Sequence, residues 1–347
     1  MNKRTRNFMV GSAAIVVFGL CTGLVAYYNG GLPLASASAR AVSDMAYLPA
    51  DAAMVGYADV RTVMDSEFRQ KMMTLAQTGE GRDEFLQETG IDIERDIDSV
   101  MAGAAIGAQD GQGIILVRGR FNDGQIEGLI RGKGGVTEMY QGVRLVLARP
   151  SAYDDNGVAR DLNDVQLQKD SMALAFLDTG FLAIGPEKDV KAAIDAKASG
   201  ANAMANADLM KRVNALTGAH NAWAVGRLDA INKVGDLPEE VKAHLPAVQW
   251  FALTANINGG IATSIKAEAN DDAAAENLRD VVRGAMAMGR LVGGSDPRAK
   301  MLLESLQMGG TGKEVTISFS VSAEQVDVLA GLASLGAAVT AGPNDKQ

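Results

Sequence analysis

Ala52-Ala53-Met54-Val55-Gly56-Tyr57-Ala58-Asp59 and Ala222-Trp223-Ala224-Val225-Gly226-Arg227-Leu228-Asp229 share one spelling. Ala52, Gly56 and Asp59 of the first stretch fall on Ala222, Gly226 and Asp229 of the second. Each is a short apolar run closed by a carboxylate, the pattern of a buried strand leading into a capped helix. The chain continues in a similar way after each run. Val100–Ile106 and Gly113–Arg120 read as paired strands ahead of a helix from Asp123. Val248–Ile257 and Ile261–Ala269 read as a hairpin around Asn258-Gly259-Gly260, ahead of a helix from Asp272. Asn122-Asp123 and Asn270-Asp271 mark the two strand-to-helix junctions. Self-similarity at such a spacing points to two diverged β/α repeats. Switching between period 2 and period 3.6 within each half indicates an α+β fold with mostly antiparallel sheets, the helices packed on one face.

Between the two runs, Met172–Leu177 and Phe181–Ile184 flank Asp178-Thr179-Gly180, a hairpin signal, and Pro186 opens a helix over Glu187–Ala198. Asp92 is placed to cap a short helix over Ile93–Ile97, and Ser66 another running to about Gln77. In the second half, Leu278, Val281, Val282, Ala285, Met288 and Val292 recur at helical spacing and predict a stripe lying on a sheet. Ser295-Asp296-Pro297 starts a further helix and Val315–Val321 is the last strand. Ser322 and Gln325 then form a capping box for a final helix. Its run Val328–Ala341 is apolar but shorter than the ~20 residues a membrane span requires.

The amino terminus sets the compartment. Lys3, Arg4 and Arg6 precede Phe8–Tyr28, which carries no charge. At ~1.5 Å per residue that segment is long enough to cross a hydrocarbon core of ~30 Å. Its basic flank keeps the first residues cytoplasmic and sends the rest outside. A cleaved signal peptide is the alternative, with Ala35-Ser36-Ala37 and Ala37-Ser38-Ala39 as cleavage sites, but the apolar run exceeds the usual ~7–15 residues. Leu20 ahead of Cys21 does not suit a lipid-attachment site. The expected organisation is a cytoplasmic tail 1–7, an anchor or signal 8–28, and a small, polar linker 29–46. A first α+β domain 47–218, a second 219–340 and a tail 341–347 complete it.

Composition narrows the chemistry. Without Lys3, Arg4 and Arg6, 30 basic residues stand against 42 acidic ones, a net charge near −12. That sign repels phosphate backbones, which excludes nucleic acid as a natural partner. Cys21 is the only cysteine and His220 and His244 are the only histidines. Disulfides, cysteine nucleophiles, zinc fingers, iron–sulfur clusters and multi-histidine metal sites are excluded by count, and no cofactor motif is present.

Three stretches resemble a family of uncharacterised bacterial exported or membrane-anchored proteins with an L-P-A-D start. The first is Leu48-Pro49-Ala50-Asp51 with Gly56-Tyr57-Ala58-Asp59-Val60, and the second is Gly90-Ile91-Asp92-Ile93-Glu94-Arg95-Asp96-Ile97. The third is Thr179-Gly180-Phe181-Leu182-Ala183-Ile184-Gly185. The resemblance spans roughly residues 47–229 and implies an anchored envelope protein of α+β fold. It transfers no catalytic residue.

Several tempting motifs fail on inspection. Gly309-Gly310-Thr311-Gly312-Lys313 lacks the phosphate-loop glycine, since Gln307 stands there, and Glu314 replaces the Ser/Thr that must come next. Asp154, Asp155, Asn156, Asp161, Asn163 and Asp164 lack calcium-loop spacing and enclose Arg160. His220 and His244 have no nucleophile elbow beside them. Candidate surfaces remain. Asp59 and Asp229 end equivalent strands and form a carboxylate pair if brought within glycosidase range, or else each caps the next helix. Trp223 and Trp250 belong to strands, as core or as a binding platform. Met286 and Met288 fill gaps in a core or line a groove for a small apolar ligand between the halves. The expected function is a non-enzymatic, membrane-anchored binding or scaffold protein of the envelope with a protein partner. A carrier of an apolar ligand and a carboxylate hydrolase are the alternatives.

Overall fold

The computed structural model describes residues 35–66, 69, 86–87, 89–105, 113–148, 171–227, 248–258, 260–293, 303–322 and 324–325. The expected anchor 8–28, Asp229, His244, the acidic run 154–164 and the segment 295–297 lie outside these residues. Among the described residues no helix is long and apolar enough to cross a membrane.

Among the described residues, twelve strands form one antiparallel sheet, in the order β11-β12-β10-β9-β8-β1-β2-β3-β7-β6-β5-β4. They are β1 Ala52–Ala58, β2 Ile97–Ala105, β3 Ile114–Gly119, β4 Val136–Tyr140, β5 Val143–Ala148 and β6 Met172–Asp178, followed by β7 Phe181–Pro186, β8 Ala222–Arg227, β9 Val248–Asn258, β10 Gly260–Ala269, β11 Gln307–Gly309 and β12 Glu314–Ser322. The helices are α1 Ala35–Asp44, α2 Val60–Met64, α3 Ile93–Asp96, α4 Asp123–Gly132, α5 Glu187–Ser199, α6 Ala207–Leu216 and α7 Asp272–Gly293.

The α+β expectation is met, with two corrections. The strands make one sheet, and the helices cover both of its faces. Register shows this directly. Residues opposite one another in antiparallel strands share a face, and neighbours along a strand alternate. Tyr57 is opposite Trp223 and Met101, so these three share face one with Val55 and Val225. Their cluster takes in Ala41 of α1, Val190, Ala193 and Ile194 of α5, and Leu209 and Val213 of α6. Ala58, opposite Ala222 and Val100, lies on face two. There α2 contributes Val60 and Val63, and α4 contributes Ile126 against Val146, Phe176 and Leu182.

Central position explains why β1 and β8 read as continuous apolar runs: strands covered on both faces have no polar side. The boundary expected between residues 218 and 219 falls inside the sheet, because β8 pairs with β1 on one side and β9 on the other. Val55 is opposite Val225, with Met54 against Gly226 and Gly56 against Ala224 on either side. The order of elements is alike on each flank of that junction. β1-β2-β3 and β8-β9-β10 are sequential neighbours, each followed by a long helix, and β7-β6 and β12-β11 then pair outward from the third strand.

The linker expected over 29–46 differs most. Residues 35–44 are helical, and Ala41, Asp44 and Met45 are almost wholly buried. Arg118 on β3 donates to both oxygens of Asp44, at 2.9 Å from Nε and 2.5 Å from Nη2, and its guanidinium covers the Phe181 ring at 3.7 Å. Tyr47 meets that ring edge-on. The Leu48-Pro49 step is fixed as well: Leu48 is core, its carbonyl accepts from Ala203 N–H, and Pro49 bridges Asn202. The small, polar composition of 35–44 concealed a helix whose burial depends on long-range partners.

A candidate binding groove on the second half

Among the described residues, face one is covered by helices over the first half and, beyond the Arg212 contacts of α6, is uncovered over the second. Thr254 is opposite Trp223 and Ser264, and Ser264 is opposite Ser318. Asn256, Ala262 and Ser320 form the next row, and Gln307 of β11 faces Ser318. By alternation all of these lie on the face that carries α5 and α6 in the first half. They line a cavity of about 250 Å³, walled by His220 before β8 and by Ser305 and Gln307 beside β12. With neighbouring strands ~4.8 Å apart, the trough from β8 to β11 crosses the sheet over roughly 20 Å.

Among the described residues, no lining side chain of this cavity carries a formal charge at neutral pH. Hydroxyls come from Thr254, Ser264, Ser318 and Ser320, amides from Asn256 and Gln307, and an imidazole from His220. Asn256 Nδ2 lies 3.1 Å from His220 Nδ1, so the amide donates to a neutral ring. Burial lowers the pKa of His220, which favours that neutral form. The floor is small, with exposed Ala262 and Ser320 at its centre. Such a surface makes hydrogen bonds and admits close approach, while offering little to an ion.

The residues singled out from sequence are placed elsewhere. Asp59 is buried, and its carboxylate accepts from Thr62 N–H at 2.8 Å as the N-cap of α2. Burial raises its pKa against the lowering effect of those Thr62 hydrogen bonds. A carboxylate so enclosed caps a helix and does not meet a substrate; its expected partner Asp229 lies outside the described residues. Trp223 is core, stacked on Tyr57 at 5.7 Å. Trp250 is half-buried under the Arg212 guanidinium at 4.2 Å, and Arg212 pairs with Glu268 at 2.5 Å. It pins α6 to β9 and β10, and no open platform results.

Met286 and Met288 do not line the groove. Their helix, α7, packs by its first turns, Ala274, Ala275 and Leu278, against Ala269 and Val315. Val315 alternates with Thr316, so α7 belongs to face two. Of the stripe residues whose side chains are described, only those at the start meet the sheet: Val281 and Val282 are half-buried, Ala285 is exposed, and Met288 is 67% exposed. Met288 is thus no part of a core, while Met286 is half-buried. Among the described residues no three His, Cys, Asp or Glu side chains converge as metal ligands. The groove itself had a readable signal, since Thr316, Ser318, Ser320 and Ser322 place a hydroxyl at every second position of β12.

No family model matches the chain, and no curated protein matches it. Among solved structures, crystal form I of TP0453 is similar in outline, with a TM-score of 0.40 at 10% identity over 84% of this chain and 96% of that one. A likeness of that degree carries no argument.

Proposed function

We propose that this chain is a membrane-anchored, extracytoplasmic binding or scaffold protein, engaging its envelope partner through the face-one groove of the second half. The observation that carries this reading is the groove: neutral hydrogen-bonding side chains from β9, β10, β11 and β12 converge on one open surface. Duplication of a β/α unit accounts for the arrangement, supported by the shared order of elements around the Val55/Val225 pair. In this reading the first copy is sealed by α5 as a scaffold, and the second copy keeps the same surface for recognition.

Anchoring would hold the sheet near the bilayer. Six residues separate Tyr28 from the start of α1 at Ala35, and α1 is tied to β3 through Asp44 and Arg118. At ~3.5 Å per extended residue, the seven steps from Tyr28 to Ala35 put the start of α1 no more than about 25 Å from the end of the span. A reporter enzyme that folds only outside the cytoplasm, fused after Gln347, should be active. Activity of a cytosolic reporter in its place removes the reading. Ser320→Arg and Ala262→Arg, both at exposed floor positions, should abolish partner recovery while leaving the urea midpoint nearly unchanged; unaltered recovery rules out the groove as the binding surface.

A further inference from the structure

We infer that what the groove grips is a neutral saccharide carried by the envelope partner. The inference rests on the groove reading and names the chemistry that the groove recognises. Three features of the site carry it.

The first is a set of polar groups with nothing to bond. Among the described residues, the side chains of Thr254, Ser264, Gln307, Ser318 and Ser320 make no hydrogen bond. Four of them, Thr254, Ser264, Ser318 and Gln307, form one row across β9, β10, β12 and β11. Neighbours in that row stand ~4.8 Å apart. Thr254 is only 8% exposed and still lines the cavity. A hydroxyl so enclosed favours an occupant that bonds it.

The second is a fixed acceptor beside a fixed donor. Asn256 Nδ2 lies 3.1 Å from His220 Nδ1 and donates to the Ala219 carbonyl at 3.0 Å. Both amide hydrogens are thereby engaged, and Asn256 Oδ1 is left as an acceptor. The same contact assigns the proton of the neutral ring to Nε2, a donor. A sugar hydroxyl donates and accepts at once, and vicinal hydroxyls repeat that pattern.

The third is complementarity of charge and shape. Among the described residues no charged side chain lines the groove, so a phosphate, a carboxylate or an ammonium finds no counter-ion there. Phe319, also in the wall, turns its side chain to face two by register. The floor of Ala262, Ser264, Ser318 and Ser320 has no apolar pocket of the kind that reads an extended peptide. Its small side chains let a ring approach closely. The cavity of about 250 Å³ lies just below the ~300–1,000 Å³ of drug-sized sites, which suits one or two sugar rings.

The test uses the full-length protein in detergent. Maltotriose, cellotriose and diacetylchitobiose are the probes, with trigalacturonate and tetraglycine as contrasts. Calorimetry should show at least one neutral sugar bound roughly tenfold more tightly than either contrast. Thr254→Val and Ser264→Ala each remove one hydroxyl. Each should weaken that binding about three- to tenfold while the urea midpoint holds. Binding of no neutral sugar, or binding that both variants leave unchanged, overturns the inference. The source of the sugar is tested with a photoreactive residue at Ala262 and membranes from the same cells. Oxidising those membranes first with periodate, which cleaves vicinal diols, should abolish the adduct. An adduct that survives periodate overturns the inference and leaves the groove reading standing, with a polypeptide as the occupant. No adduct from untreated membranes, with no sugar bound, removes both readings.

Discussion

At the scale of single residues, stability turns on groups whose partners lie far away in sequence. Asp44 and Arg118 are 74 residues apart, and the buried carboxylate depends on that guanidinium. Arg118→Ala should therefore cost about 3–5 kcal/mol in urea unfolding, since it strands a buried charge. A loss below about 1 kcal/mol would place the pair among ordinary surface bridges. Asp59, by contrast, is local: Asp59→Ala should cost about 0.5–2 kcal/mol as a lost cap, and leave partner binding intact. That role was legible, because a carboxylate ending a strand run ahead of Val60 is an N-cap in sequence as well as in space. His220 gives a pH signature. Its folded pKa lies below its ordinary value because the ring is buried, so the unfolded chain takes up the proton first. Stability should fall as pH drops below about 6.5, the unfolded value, with the loss complete below the folded pKa. His220→Gln should flatten this part of the profile; an unchanged profile would assign the acid loss to other groups.

At the scale of elements, turn chemistry was readable and packing was not. Asp178-Thr179-Gly180 forms the predicted turn, with Gly180 at φ 67° and a Cβ built there only 2.3 Å from the Gly119 carbonyl. Gly180→Ala should thus cost more than the ~1–2 kcal/mol of left-handed strain alone, measured by denaturant unfolding. The β4–β5 hairpin was missed although Tyr140-Gln141-Gly142-Val143 spells a two-residue turn, with Gln141 at φ 48° and Gly142 at φ 81°. Its outer strand β4 is an edge, with Met139 65% exposed, so the alternation that marks a half-buried strand is faint there. α1 lies in a stretch that reads as linker, because Ala and Ser carry no helical stripe. α7 carries a strong stripe, and of its described side chains those in the first turns pack on the sheet.

At the scale of the whole molecule, the two strands that share a spelling, β1 and β8, pair with each other inside the one sheet. The spelling left open how the halves meet. Antiparallel pairing of β1 with β8 needs no sequence signal beyond two apolar strands free on one edge, and a closed domain on each side would have read the same. Which face stays open was likewise decided by β12, where hydroxyls alternate with Val315, Ile317, Phe319 and Val321. The central claim is that this open face is where the protein meets its partner. The most direct measurement places a photoreactive amino acid at Ala262 or Ser320, and at exposed Gly284 on α7 as control, then cross-links in intact cells and isolates membranes. One adduct of the same discrete mass is expected from Ala262 and Ser320, and none from Gly284. No adduct from either groove position, or identical adducts from all three, would contradict the claim.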